Sequence, residues 1–182
     1  TFPIAVFQTS FGSFAGAVDT VVEAIQCGVP MARIEFMDAA QMRACNAYSK
    51  LDLPEQTTLL FEFHGSPSSV AEQVETVRAI AAANGAGEFR WATLAEERNT
   101  LWKARHVAYY AALAQRPGAN GFVTDVTVPI SRLAECIGET RADLDKIAIP
   151  ATILGHVGDG NFHVIFALDP DSTEELGIVE AF

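Results

Sequence analysis

Two periods of apolar residues take turns along this chain. Residues 4–9 form an apolar, β-branched run that stops in the turn-forming stretch 10–13, the pattern of a strand. Phe14, Val18, Val21, Val22 and Ile25 then recur at the spacing of one helix face, which predicts a helix over 14–27 closed by Gly28. Ala32, Ile34 and Phe36 alternate with Arg33 and Glu35, a half-buried strand over 32–36, and Asp38 is placed to cap a helix over 39–48. A third strand is predicted over 57–64. Residues 65–69 then turn into a helix over 70–83 that ends at Asn84-Gly85.

The alternation continues downstream. A mostly helical stretch is predicted over 91–113, carrying Glu96, Glu97, Arg98 and Trp102 and stopped by Pro117-Gly118. Residues 123–129 read as a strand, with Ser131 capping a helix over 132–147. Two strands, 151–155 and 161–168, flank Gly158-Asp159-Gly160, and an acidic helix begins at 173 and is still running at Phe182. The first two strands are joined by a helix of about four turns, and the order suits split βαβ units of the ferredoxin-like kind. The expected fold is α+β, a mostly antiparallel sheet covered by helices, in one domain over residues 1–182.

Composition narrows the classes. With 49% hydrophobic and 19% charged residues the chain can bury a sizeable core, which excludes a disordered segment. Twelve Lys+Arg against 23 Asp+Glu give a net charge of −11, which argues against a nucleic acid or an anionic membrane surface as partner. No apolar run reaches the roughly 18 to 20 residues of a membrane span. Cys27, Cys45 and Cys136 are odd in number and far apart, so neither a disulfide framework nor a thiolate metal site is indicated, and a reducing compartment fits.

The segment richest in chemistry is Gly155-His156-Val157-Gly158-Asp159-Gly160-Asn161-Phe162-His163. Asp-Gly between two β runs predicts a two-residue type I′ hairpin, because both central residues need positive φ. Asp159 and Gly160 would then form the loop, and His156 would lie directly opposite His163. Opposed Cβ atoms are about 4.5–5.5 Å apart. Two readings follow from spacing alone: a cross-strand hydrogen-bonded pair, or two imidazoles on one divalent ion. No third ligand stands at a persuasive spacing, and Asp159 serves the turn itself.

These nine residues resemble the metal-binding signature in the C-terminal domain of FAD-linked 2-hydroxyacid dehydrogenases. That group holds cytochrome-type D-lactate, D-2-hydroxyglutarate and glycolate-oxidising enzymes. The resemblance extends over Ala32-Arg33-Ile34-Glu35-Phe36, Glu62-Phe63-His64-Gly65, Ala95-Glu96-Glu97-Arg98, Leu101-Trp102-Lys103-Ala104-Arg105-His106 and the run from Thr124 to Leu133, hence essentially the whole chain. It implies that His156 and His163 hold a zinc- or manganese-type divalent ion, which acts as a Lewis acid on the substrate's 2-hydroxyl. It implies that Arg105 clamps the substrate carboxylate; without it, Arg105 reads as an exposed helix arginine paired with Glu97 or solvent. His64 either lines the flavin pocket or is satisfied by backbone at a strand end. Trp102 reads as core or pocket wall, and Asp125 and Thr127, on one strand face, as support.

Within that family, the hydroxyglutarate-oxidising branch meets the distal carboxylate with a lysine, a threonine and an asparagine at the positions held here by Val123, Tyr109 and Ile165. A distal carboxylate buried against those three side chains would be unpaired, at a cost of several kcal/mol. The resemblance therefore implies a flavin-dependent D-lactate dehydrogenase acting on D-lactate or another small D-2-hydroxy acid, with glycolate open. Electrons would pass to FAD and on to a cytochrome or quinone. A noncatalytic assembly module with a structural histidine hairpin is the rival reading. The family's flavin domain lies upstream, and its third metal ligand and catalytic base lie in a Glu-His-Gly segment expected downstream of Phe182. These 182 residues therefore read as a piece truncated at both ends, holding no catalytic base and inactive alone. The family also implies a homodimer and a cytoplasmic location, peripheral at an inner membrane, or mitochondrial in a eukaryote.

Overall fold

A computed structural model describes residues 4–182 and places eight strands and six helices in alternation. They are β1 (Ile4–Phe11), α1 (Phe14–Gln26), β2 (Met31–Met37), α2 (Ala39–Ser49), β3 (Thr57–His64), α3 (Pro67–Ala83), β4 (Ala86–Ala92), α4 (Ala95–Ala114), β5 (Asn120–Val123), β6 (Val126–Thr127), α5 (Leu133–Leu144), β7 (Ala151–Gly155), β8 (Asn161–Leu168) and α6 (Thr173–Ala181). The strands form one antiparallel sheet in the order β4-β1-β3-β2-β7-β8-β5, with β6 paired to β8. In β4-β1-β3-β2, β3 lies between the parallel β1 and β2, and β1 between β3 and β4. These are the two split βαβ units expected from the sequence.

Helices cover both faces. On one face α1, α3 and α5 pack against Phe7, Phe36, Phe61, Phe63, Phe162 and Phe166, all buried. Burying each such ring is worth roughly 1.5–3 kcal/mol. On the other face α2 and α4 lie over Val6, Met37, Leu60, Leu154 and Ile165. Here α4 presents Ala104, Ala108, Ala111 and Ala112, small enough to bring its backbone within hydrogen-bond reach of α2. Gln41 Nε2 donates to the Ala108 carbonyl (2.9 Å), and Thr152 donates to Gln41 Oε1 (2.7 Å). The buried Cys45 thiol donates to the Ala104 carbonyl, and burial pushes its pKa up, so it stays a thiol. Cys27, Cys45 and Cys136 are all unbridged.

Several boundaries differ from the sequence expectation. Residues 86–92 form an edge strand, where the sequence announces no element over 86–90 and a helix from 91; Gly85 at φ +82° turns the chain, and alternation in Ala-Gly-Glu-Phe-Arg-Trp is too weak to announce a strand. The third helix starts at Pro67, capped by Ser66, whose hydroxyl accepts from Ser69 N. Ser131 does not cap α5, because a 3₁₀ turn over Ile130–Arg132 leads into it. The expected strand over 123–129 is broken at Thr124-Asp125. There the Thr124 hydroxyl takes the Val164 N–H at 3.0 Å in place of a ladder bond. Both sides of the break keep one register, Val123 opposite Ile165 and Val126 opposite Phe162.

Asp38 caps α2 as expected, its carboxylate accepting from Gln41 N at 2.7 Å. Burial pushes its pKa up to about 6, against the opposing pull of that hydrogen bond and of Arg141 and Arg43. A carboxyl whose folded pKa lies above its unfolded value destabilises when ionised, and the cost develops between about pH 4 and 6. Asp38→Asn keeps the cap and removes the charge. It should raise the urea midpoint at pH 8 but hardly at pH 4, a difference of roughly 2 kcal/mol; a pH-independent effect would refute this assignment.

Candidate active site

Strands β2 and β7 pair over only two positions, Phe36 with Gly155 and Met37 with Leu154. Beyond Gly155 the chain leaves the sheet, and one residue past the last pair Glu35 and His156 meet. A Cβ on Gly155 would fall 2.4 Å from Phe162 Cα, so only glycine lets β7 and β8 approach there.

The expected two-residue turn is not what forms. Leu154, not His156, lies opposite His163, and a 3₁₀ turn over Val157–Asp159 makes the connection. The amides of Asp159 and Asn161 both donate to the His156 carbonyl. Gly160 takes the positive φ (+72°), with a Cβ there blocked by the Val128 carbonyl. Turn bonding has thus claimed two more residues than Asp-Gly predicts, shifting the register by two and leaving the faces unchanged. The two histidines still come together, with perpendicular rings whose centroids are 6.5 Å apart.

Each ring is anchored through Nδ1. His163 Nδ1 bonds the Thr124 carbonyl (3.1 Å), the carbonyl exposed by the break between β5 and β6, and lies 3.4 Å from Asp125. Asn161 Nδ2 donates to Asp125 Oδ1 (2.7 Å) and Thr127 Oγ1 (3.0 Å), so the two residues read as support are tied together by a third. His156 Nδ1 lies 2.5 Å from Glu35 Oε1. Neither Nε2 atom makes a hydrogen bond among the described residues.

Arg105 projects from α4 and donates Nε to Glu35 Oε2 at 2.8 Å. It pairs neither with Glu97 nor with solvent alone, which corrects the alternative read from sequence. Its terminal nitrogens make no hydrogen bond among the described residues. Trp102, one turn earlier, is 5% exposed, lies beneath the Arg33 guanidinium (5.0 Å) and beside His106, and its indole N–H finds no hydrogen-bond partner among the described residues. It packs as part of the core under α2 and α4. His64 ends β3, half exposed, with Nε2 2.8 Å from Glu62 Oε1, so a carboxylate satisfies it rather than backbone. It makes no hydrogen bond to the histidine pair.

Phe182, beyond which the family's Glu-His-Gly segment is expected, is not itself a residue of this site. The Phe182 ring packs edge-on against Phe166 with centroids 5.3 Å apart. Phe166 belongs to the aromatic core under α1, α3 and α5, so the ring of Phe182 lies with that core and not with the histidine pair.

Glu35 is the residue that sequence reasoning misses. Period two places it on the wet side of a half-buried strand, yet it is 1% exposed, because α2 and α4 cover that face too. The one signal present is Met37, an apolar residue on the same strand face as Glu35, which a wet face would not favour.

Among the described residues, no group of three or more His, Cys, Asp or Glu side chains is placed to hold a metal ion. The two imidazoles nonetheless suit one as partial donors: each has Nδ1 engaged by an acceptor, the arrangement of metal-ligating histidines. His156 and His163 would hold such an ion through Nε2, with further donors coming from outside the described residues.

The chain belongs to the family of FAD linked oxidases, C-terminal domain, whose model matches residues 3–182. It is 50% identical over 173 residues to the probable mitochondrial D-lactate dehydrogenase of Danio rerio, covering 95% of this chain and 35% of that protein. It is 36% identical over 166 residues to the mitochondrial D-lactate dehydrogenase [cytochrome] of Arabidopsis thaliana, covering 91% of this chain and 29% of that one. The chain thus spans about a third of the length of these relatives. Its fold also matches alkyldihydroxyacetonephosphate synthase, with a TM-score of 0.68 at 17% identity over 98% of this chain and 38% of that one.

Gly155→Ala should cost at least about 2 kcal/mol through strand separation. Gly12→Ala, whose methyl meets open space, should cost under about 1 kcal/mol. Paired urea melts check this; equal midpoints would show that the close approach at Gly155 is not needed.

Proposed function

We propose that this chain is the substrate- and metal-facing domain of a flavin-dependent D-lactate dehydrogenase. The parent protein would oxidise D-lactate, or another small D-2-hydroxy acid, to the 2-oxo acid and pass electrons through FAD to a cytochrome or quinone. The observation that carries this reading is the pairing, through one buried carboxylate, of an open arginine fork with an imidazole whose Nε2 is free. A 2-hydroxy acid carries a carboxylate one carbon from a hydroxyl, and the two groups call for those two partners side by side.

When bound, FAD supplies the two-electron acceptor and a divalent ion supplies a Lewis acid at the hydroxyl. Arg105 grips the carboxylate through its terminal nitrogens, a bidentate match a lysine cannot make. His156 and His163 present Nε2 toward the hydroxyl end. Ile165 is buried on the α4 side with Val123 opposite it, and Tyr109 packs its hydroxyl against Gly121 of β5. No cationic side chain is among these three, which favours a short apolar substituent over a distal carboxylate. The flavin side of the pocket, the third ligand and the base would come from outside these residues, the last two from the segment expected after Phe182, and His64 would border the flavin. No helix among the described residues is long and apolar enough to cross a membrane. The mitochondrial relatives support a mitochondrial setting in a eukaryote, with a homodimer as the proposed assembly.

The test is an anaerobic titration of the full-length flavoprotein. D-lactate should bleach the oxidised flavin band promptly and L-lactate should not, with the response lost on chelation. Glycolate or D-2-hydroxyglutarate bleaching instead would transfer the substrate assignment, and absence of flavin would favour the noncatalytic module. Arg105→Lys should lower kcat/KM for D-lactate by about 10²-fold, chiefly through KM.

A further inference from the structure

Glu35 sits on β2 between the buried Ile34 and Phe36, with the fully buried Leu60 opposite it on β3, in surroundings that solvate a carboxylate poorly. Such a group survives burial only when its oxygens are fully engaged. Each oxygen has one partner: Oε1 meets His156 Nδ1 and Oε2 meets Arg105 Nε. The partners come from different elements, the turn after β7 beside β2 in the sheet and the middle of α4 over its face.

We propose that Glu35 is a positioning residue that sets two groups of the substrate site at once, the Nδ1-protonated tautomer of His156 and the outward-turned fork of Arg105. An ionised carboxylate only accepts hydrogen bonds. Facing Nδ1 at 2.5 Å, it requires the proton there and leaves the Nε2 lone pair for a cation. The same carboxylate occupies Arg105 Nε and turns the two terminal nitrogens away from β2, toward the carboxylate of a 2-hydroxy acid. One side chain therefore fixes the separation between the carboxylate grip and the ion-binding imidazole. This inference rests on the substrate and metal reading given above.

Two nearly isosteric changes separate this role from plain scaffolding in the full-length holoenzyme. In Glu35→Gln the amide oxygen suits Arg105 Nε, which turns the amide N–H toward His156. The ring must then accept at Nδ1 and carry its proton on Nε2, where a metal cannot bind. Metal affinity, read by titration of the metal-depleted protein with Zn(II) or Mn(II), should weaken about 10- to 100-fold. Glu35→Asp stays acceptor-only but is one methylene shorter, so it should keep metal affinity within about threefold while KM for D-lactate rises at least about tenfold. A scaffold residue would lose both properties in parallel with thermal stability, and that result would overturn the proposal. So would an unchanged metal affinity in Glu35→Gln. Should Glu35→Gln fail to fold, NMR of isotope-labelled histidine in the metal-depleted wild type decides: protonation of His156 at Nε2 overturns the proposal, and at Nδ1 supports it. A wild type that binds no divalent metal would remove the metal reading, while that same spectrum still judges the tautomer assignment.

Discussion

A carboxylate removed from water has to be answered by its neighbours, and at Glu35 that requirement organises one end of the sheet. The β2–β7 joint is only two pairs wide. Past it, the turn after β7 and the helix α4 are held to β2 by the two oxygens of a single side chain. Removing either partner would leave a buried charge with half its compensation, which is why such pairs are costly to break even where their net contribution to stability is small. The apolar face under α1, α3 and α5 holds the molecule together. The face under α2 and α4 admits polar groups together with their partners: Gln41 with Thr152 and Ala108, Cys45 with Ala104, Asp38 with Gln41 and Arg141.

Much of this architecture is legible in the sequence alone. The helix faces of 14–27 and 39–48, the cap at Asp38 and the split βαβ order follow from periodicity and side-chain chemistry acting over a few residues. The meeting of His156 with His163 is legible too, although through the wrong turn. Asp-Gly fits a two-residue loop, but the chain instead commits the His156 carbonyl to two amides, a choice made by tertiary room beside Val128 rather than by local preference. β4 is invisible because an edge strand with one neighbour in the sheet needs little alternation.

Glu35 is illegible for a different reason. Period two tells which residues share a face and not whether that face is wet, and the answer depends on α4, some seventy positions later in the chain. Arg105 by itself likewise says nothing, since an arginine on a helix has many ordinary partners. The pair becomes informative only when the sheet brings the two together, with an imidazole on the carboxylate's other side.

The interruption between β5 and β6 divides one line of chain into two parts with separate duties. Val123 and Val126 lie in one register with β8 on either side of it, so the gap at Thr124-Asp125 inserts no slip. The strand at Val123 and the bracket behind His163 are therefore separable modules. Changes at 123 leave the imidazole's Nδ1 partners in place, since these come from 124 and 125. Changes at 124 or 125 can retune the imidazole while the pairing of Val123 with Ile165 persists. The partition falls at Thr124, whose N–H still donates to the Val164 carbonyl while its hydroxyl takes the Val164 amide and its freed carbonyl turns to His163.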